Sequence, residues 1–358
     1  MALLSSIKRQ DWFLNLSFFI IAAAGLVTVA SAKPELFWYQ VLWVVSASII
    51  ILIFSGVDWR PLINYRWVIV GLYLGSIALL VLNLFLSPVI KGTRGWLALG
   101  PLRFQSAELA KVIFLITLAY FFSRRHIGIA HLRNLIPSLV YLMVPVALIL
   151  LQPDWGTALI FFGIWIGFLL VSGIRPQHLF FGLAIVAVAG FFIWNFNLQS
   201  YQKERIIGFF QPNYDLRGIN YSVSQSRIAI GSAGWLGKGF RQGTQVQLHF
   251  LTEPATDFVL AAWTEEWGLL GAFVILVAFG CMLYRIIRIG LFSRNNFSQF
   301  VCLGTAIMFL IQFSLNAGSA LGLLPVVGVT FPFFSYGGSS FLTKAVLLGI
   351  IQSIATKI

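Results

Sequence analysis

Apolar runs of roughly 17 to 22 residues recur along almost the whole chain, each long enough to cross a hydrocarbon core of about 30 Å. No other feature narrows the fold as much. In lipid every backbone amide and carbonyl must find its partner within the protein, so runs of this length fold as helices. Alternating polar and apolar stretches of about ten residues, the pattern of a membrane barrel, are absent. With 59% hydrophobic residues, 10% charged and a mean hydropathy of +0.90, an ordinary soluble domain is excluded. The expectation is an all-α polytopic membrane protein, a single integral unit over 1–358. About ten spans are read, at 12–32, 36–54, 67–86, 107–123, 136–151, 156–172, 178–195, 268–288, 298–319 and 339–356. Proline, glycine or charge marks the junctions, as in Lys33-Pro34, Arg60-Pro61, Ser87-Pro88 and Arg175-Pro176. Lys8-Arg9 and Ala30-Ser31-Ala32 resemble a secretion signal. The apolar run from Trp12 exceeds a signal core of about 7–15 residues, so an uncleaved first span is expected.

Lys and Arg number 24 against 11 Asp and Glu, a net charge of +13. In a soluble chain that excess would point to nucleic acid. In a polytopic one it sets topology and meets anionic lipid, so membrane lipids are expected as partners and nucleic acid is not. With the N-terminus inside, the inner loops carry Arg60, Arg66, Arg124, Arg125, Arg133, Arg175, Arg285, Arg288, Arg294 and Lys357. The short outer loops carry little beyond Lys33, Glu35 and Asp154. Both termini are therefore expected in the cytoplasm, and a large polar segment, 195–267 between spans 7 and 8, outside. Cys281 and Cys302 lie in apolar runs, which speaks against a disulfide framework. His126, His131, His178 and His249 show no metal-ligand spacing. The absence of a visible internal repeat weighs against an inverted-repeat transporter.

Chemistry is to be sought in the polar segment and on the helix ends facing it. The segment holds Glu204, Asp215, Glu253, Asp257, Glu265 and Glu266 among Lys203, Arg205, Arg217, Arg227, Lys238 and Arg241. Its glycine cluster, 231–239, suits a tight hairpin or a nest of amides for an anion. Asp257 enters the next helix after Thr256, where a carboxylate caps a helix as readily as it does chemistry. Glu265-Glu266 read as headgroup-level charge, and Lys203 and Arg205 as cations for lipid phosphates. Glu108 and Lys111, three residues apart, share one helical face as span four opens. They serve equally as an orienting salt bridge or a substrate site. The outer segment 87–106 is aromatic, basic and glycine-rich, as an interfacial segment would be.

The block from Asn316 to Ser340, rich in Gly, Pro and Phe, reads as a re-entrant loop between two spans. Its order also resembles the signature of the SEDS family (shape, elongation, division and sporulation proteins) at Asn316, Gly322, Pro325, Gly328 and Ser335-Tyr336-Gly337-Gly338-Ser339. The likeness spans nearly the whole chain: Arg94, Trp96, Phe104-Gln105 and Glu108 through Lys111; Gln152-Pro153-Asp154 with Gly156-Thr157; Tyr201, Gln202, Arg205 and Gln225-Ser226. Gly243-Thr244-Gln245 and Gln247-Leu248 are more similar to the elongation member than to the division member. Two family prolines are missing, in Gln105-Ser106-Ala107-Glu108 and in Leu251-Thr252-Glu253.

This resemblance implies a glycosyltransferase that joins lipid II units into glycan strands at the outer face of the bacterial cytoplasmic membrane. By the same likeness Asp257 is the catalytic carboxylate, and Glu108, Lys111, Arg205, Arg94, Gln225 and Ser335 surround the substrate. The expected transfer is inverting, with undecaprenyl pyrophosphate leaving. Lys111, Arg205 and Arg94, or a divalent cation (Mg or Mn) that no motif fixes, would meet the leaving group's charge. The expected protein partner is a class B penicillin-binding protein. A lipid II flippase and a non-catalytic scaffold of the elongation machinery are the alternatives.

Overall fold

The computed structural model describes residues 9–59, 65–88, 95–99, 102–124, 132–173, 200–211 and 220–357, with positions 177, 182 and 218 between them. In chain order the helices are α1 (Trp12–Ala32), α2 (Phe37–Gly56), α3 (Arg66–Leu86), α4 (Ser106–Ser123), α5 (Leu132–Leu151), α6 (Trp155–Val171), α7 (Ser200–Phe210), α8 (Tyr221–Gly231), α9 (Thr244–Gln247), α10 (Val259–Phe292), α11 (Asn296–Leu321) and α12 (Gly338–Ala355). Among the described residues, α1 to α6 and α10 to α12 are apolar helices at the positions of nine expected spans. The other, 178–195, lies outside the described residues.

Local chemistry sets several helix ends. Asp11 caps α1 by accepting from the Leu14 amide at 3.0 Å. Asp154 caps α6 through the Thr157 amide (3.0 Å) and hydroxyl (2.8 Å), which explains the Asp-x-Gly-Thr spacing. Gly322 ends α11 in the left-handed conformation (φ 71°), with the Leu323 amide returning to the Gly318 carbonyl at 2.7 Å.

One expectation about the loops is corrected. The described residues of segment 195–267 form α7, α8, α9 and the first turns of α10. Helix α10 starts at Val259, well before the expected 268, because the residues from Val259 to Glu266 are buried against the bundle despite their charges. The helix breaks at Gly268, whose φ of 70° and ψ of −174° only glycine adopts easily. Within 87–106, an antiparallel hairpin of β1 (Trp96–Leu99) and β2 (Leu102–Gln105) pairs Trp96 with Gln105 and Leu99 with Leu102.

The helices alternate in direction and give the bundle two ends. At the terminal end Asp11 pairs with Arg285 of α10 (Nε to Oδ2 2.9 Å), while Gln352 of α12 donates to the Asp11 carbonyl (3.0 Å) and to Asn15 (2.7 Å). The distal end carries β1 and β2, the start of α6, and the residues leading into α10. Its own small core, Ala32, Ala229, Val246, Leu251, Phe258, Ala261, Ala262 and Ala320, seats α8 and α9 on the ends of α1, α10 and α11.

At the heart of the bundle lies the aromatic block of the α11–α12 connection. Phe331, Phe333 and Phe334 are buried and meet Phe279, Phe18 and Trp263 edge-on, with centroids 5.3, 5.0 and 6.1 Å apart. Two helices are notched to let this connection in. A Cβ on Gly25 of α1 would stand 2.4 Å from the Phe334 carbonyl oxygen, and one on Gly156 of α6 would stand 2.0 Å from that of Val327. The re-entrant reading of this block thus holds.

Candidate functional site

Asp257 lies at the distal end, partly exposed, one residue before the N-cap position Phe258 of α10. Its main chain is held from below by the α11–α12 connection. The Asn316 side-chain amide donates to the carbonyls of Val329 (2.8 Å), Asp257 (3.1 Å) and Thr256 (3.3 Å). Ser335 Oγ donates to the Thr256 carbonyl at 2.7 Å and accepts from the Phe331 amide at 2.9 Å. The Tyr336 amide donates to the Ala255 carbonyl at 2.8 Å. Signature residues far apart in sequence therefore converge on three consecutive peptides and fix where the carboxylate stands. Ser335 is itself buried and engaged in this scaffold.

The glycine cluster answers to the break in α10. The amides of Lys238 and Gly239 donate to the carbonyls of Glu265 (3.0 Å) and Glu266 (2.9 Å), which the break would leave open. Across the break, the amides of Leu269 and Leu270 donate to the carbonyls of Gly234 (3.0 Å) and Trp235 (3.2 Å). These donors serve a helix, so the anion-nest reading of 231–239 is set aside. Glu265 and Glu266 are likewise not headgroup-level charges: both are buried. Glu265 receives Lys238 Nζ at 2.7 Å and the Gln245 amide at 2.9 Å, anchoring α9. Glu266 receives the hydroxyl of Ser31 in α1 and Gln247 Nε2 at 3.4 Å.

Glu108 and Lys111 form a buried ion pair, Nζ to Oε1 2.8 Å, on the first turns of α4. Sequence reasoning passed over a third member. Lys344 of α12 is just as buried and lies within electrostatic reach of both. Its ammonium donates to Thr330 Oγ1 at 3.1 Å and to Ser340 Oγ. A lysine inside the last apolar span was the signal, since ionisable residues in a membrane helix need a partner or a task. The cluster holds two ammonium groups against one carboxylate and joins α4, α12 and the α11–α12 connection.

Of the remaining expected residues, Gln225 sits half-buried on α8 beside Ser226, whose hydroxyl donates to the Ala320 carbonyl at 2.7 Å. Arg205 belongs to α7. Arg94 lies outside the described residues. The two missing prolines are replaced by residues that bond to other elements: Ser106 Oγ accepts from Asn83 Nδ2 of α3, and Thr252 Oγ1 donates to Ser222 Oγ of α8 at 2.6 Å. Gln105 Nε2 reaches Asp154 Oδ2 at 3.2 Å and ties β2 to the start of α6. Among the described residues no group of three or more His, Cys, Asp or Glu side chains is placed to hold a metal ion.

Comparison with known proteins follows the same lines. The family described as FTSW_RODA_SPOVE, cell cycle protein, matches residues 10–358. The peptidoglycan glycosyltransferase MrdB of Escherichia coli (strain K12) is 36% identical over 287 residues, covering 80% of this chain and 77% of MrdB. A chain from a peptidoglycan synthase complex, described for its structural coordination of polymerization and crosslinking, superposes with a TM-score of 0.82 at 33% identity over 97% of this chain and 98% of its own. The rod shape determining protein RodA of Thermus thermophilus superposes with a TM-score of 0.72 at 29% identity, over 97% of this chain and 96% of its own.

Proposed function

The chain belongs to the FtsW/RodA/SpoVE family of cell cycle proteins and is a multi-pass membrane peptidoglycan glycosyltransferase; on that premise we propose how its own residues do the work. The distal end faces the outside, and lipid II is the substrate there. The 4-hydroxyl of the acceptor GlcNAc attacks the anomeric carbon of the donor strand. As the new glycosidic bond forms, the bond to undecaprenyl pyrophosphate breaks with inversion, and the hydroxyl proton passes to Asp257.

The observation that carries this reading is the triple grip of Asn316, Ser335 and Tyr336 on the peptides of Ala255, Thr256 and Asp257. A general base must stand within hydrogen-bond reach of the proton it takes, and a carboxylate on a locked main chain meets that demand without reorganisation. The leaving pyrophosphate gathers negative charge, which positive charge in a low-dielectric setting stabilises strongly. The Glu108, Lys111 and Lys344 cluster supplies an excess of one positive charge from within the bundle, and by the family resemblance Arg205 and Arg94 add cations for the leaving group. Gln225 is a further residue at the substrate, on the strength of the family resemblance. A class B penicillin-binding protein is the partner, supported by the likeness to a chain from a peptidoglycan synthase complex. The elongation role rests on Gly243-Thr244-Gln245 and Gln247-Leu248.

Purified protein is given lipid II, with and without the partner and a chelator, and glycan strands are read on a gel. Wild type makes polymer, and Asp257→Asn loses about 10²–10⁴-fold in rate, the usual contribution of a positioned base. An Asp257→Asn protein that melts like wild type and polymerises at its rate would remove the base assignment. Headgroup movement across vesicles without polymer would favour a flippase, and neither activity would favour a scaffold.

A further inference from the structure

At the terminal end of the bundle, far from Asp257, a cleft of about 570 Å³ opens where α10 ends, α11 begins and α12 finishes. Its charged lining is Arg294, Lys357 and Asp58, and its apolar lining includes Trp59 and Phe292. Lys357 pairs with Asp58 at 2.8 Å, but Arg294 makes no ion pair among the described residues. One turn back along α10, Arg288 lies over the Phe292 ring, 5.6 Å from its centroid, and adds a third cation on the rim, also without an acidic partner among the described residues. Three cations against one carboxylate leave the cleft strongly positive, and the N-terminus of α11 adds to that sign.

We propose that this cleft binds the phosphate headgroup of an anionic phospholipid. The argument for a lipid lies beside the charges. Leu291 and Phe292 are 66% and 63% exposed on the outer surface of α10, at the level where the helix leaves the bilayer. A headgroup held by Arg294 and Lys357 would lay its acyl chains on that apolar surface. Basic pockets between transmembrane helices at a membrane face are suited to such headgroups. The stacked pair of Trp59 and Phe54, 4.9 Å between centroids, forms the firm wall on the α2 side. Binding here would tie the α10–α11 turn to the ends of α2 and α12, at the opposite face from the chemistry.

The test is competition between phosphatidylglycerol and phosphatidylcholine for the detergent-purified full chain, read by native mass spectrometry. Wild type retains one phosphatidylglycerol selectively. Arg294→Gln with Lys357→Gln lowers its apparent affinity tenfold or more, while Lys357→Arg keeps it. Arg124→Gln, which removes a cation at the same end but outside the cleft, leaves it unchanged. Equal retention by the double variant, or an equal loss in Arg124→Gln, would overturn the proposal. Inorganic phosphate or glycerophosphorylglycerol binding as tightly as the lipid would overturn it too, by making the cleft a site for a soluble anion.

Discussion

Removing the Asn316 side chain tests whether the α11–α12 connection holds the loop that carries Asp257. Its amide nitrogen has two protons and faces three carbonyls, that of Val329 buried and those of Asp257 and Thr256 part-buried. In Asn316→Ala the Thr256 carbonyl keeps Ser335 as donor, while the Val329 carbonyl is left buried without its donor. A buried acceptor left without a partner costs about 1–3 kcal/mol, and a water entering the vacated space would pull the loss toward the lower figure. Ser335→Ala alone should cost about 1 kcal/mol, because Asn316 still donates to Thr256. In the double variant Thr256 loses both donors, so the two changes should be coupled by about 1 kcal/mol or more. Thermal melts in detergent give the stabilities, and strand synthesis from lipid II gives the rate. We expect the rate to fall in Asn316→Ala well beyond the fraction of protein unfolded, since the carboxylate moves with its peptide. Strictly additive melts with a wild-type rate in both single variants would refute the scaffold argument.

Other consequences are as direct. Glu108→Gln leaves Lys111 and Lys344 buried together without a carboxylate and should cost about 3–5 kcal/mol, seen as a lower melt and poor yield; if Glu108→Gln with Lys111→Met restores synthesis, the pair is architectural. Gly237→Ala and Gly268→Ala each place a Cβ 2.2 Å from a backbone oxygen at positive φ. Each should cost roughly 1–3 kcal/mol and speed hydrogen exchange at the amides of Lys238, Gly239, Leu269 and Leu270. Gly156→Ala, aimed at the Val327 carbonyl, should lower the melt by a similar amount and reduce synthesis by shifting the connection that carries Asn316's partners, read in the same two assays.

Much of the fold was legible because its driving pattern is local. A run of apolar residues long enough to cross lipid has one way to satisfy its backbone, so α1 to α6 and α10 to α12 could be placed from composition and junction residues alone. Asp257 and the Glu108–Lys111 pair were legible as ionisable groups at span boundaries, where a charge needs a reason. What misled was treating charge as a marker of exposure. Glu265, Glu266 and Lys344 look like ends of spans or intruders in them, yet each is buried, because it finds a partner on another element, Lys238, Ser31 and Thr330 respectively.

By itself the chain order determined that this protein lives in a membrane, roughly where its helices lie, and which short motifs carry groups capable of chemistry. Only the folded bundle decided what those motifs do. The glycines near 237 close a helix break instead of cradling an anion, and Ser335 supports a carbonyl of the residue before Asp257. The reason is physical: a span's hydrogen bonds close within a few residues, whereas Asn316, Ser335 and Tyr336 act through carbonyls some sixty to eighty positions away, a pairing that exists only once the helices have packed.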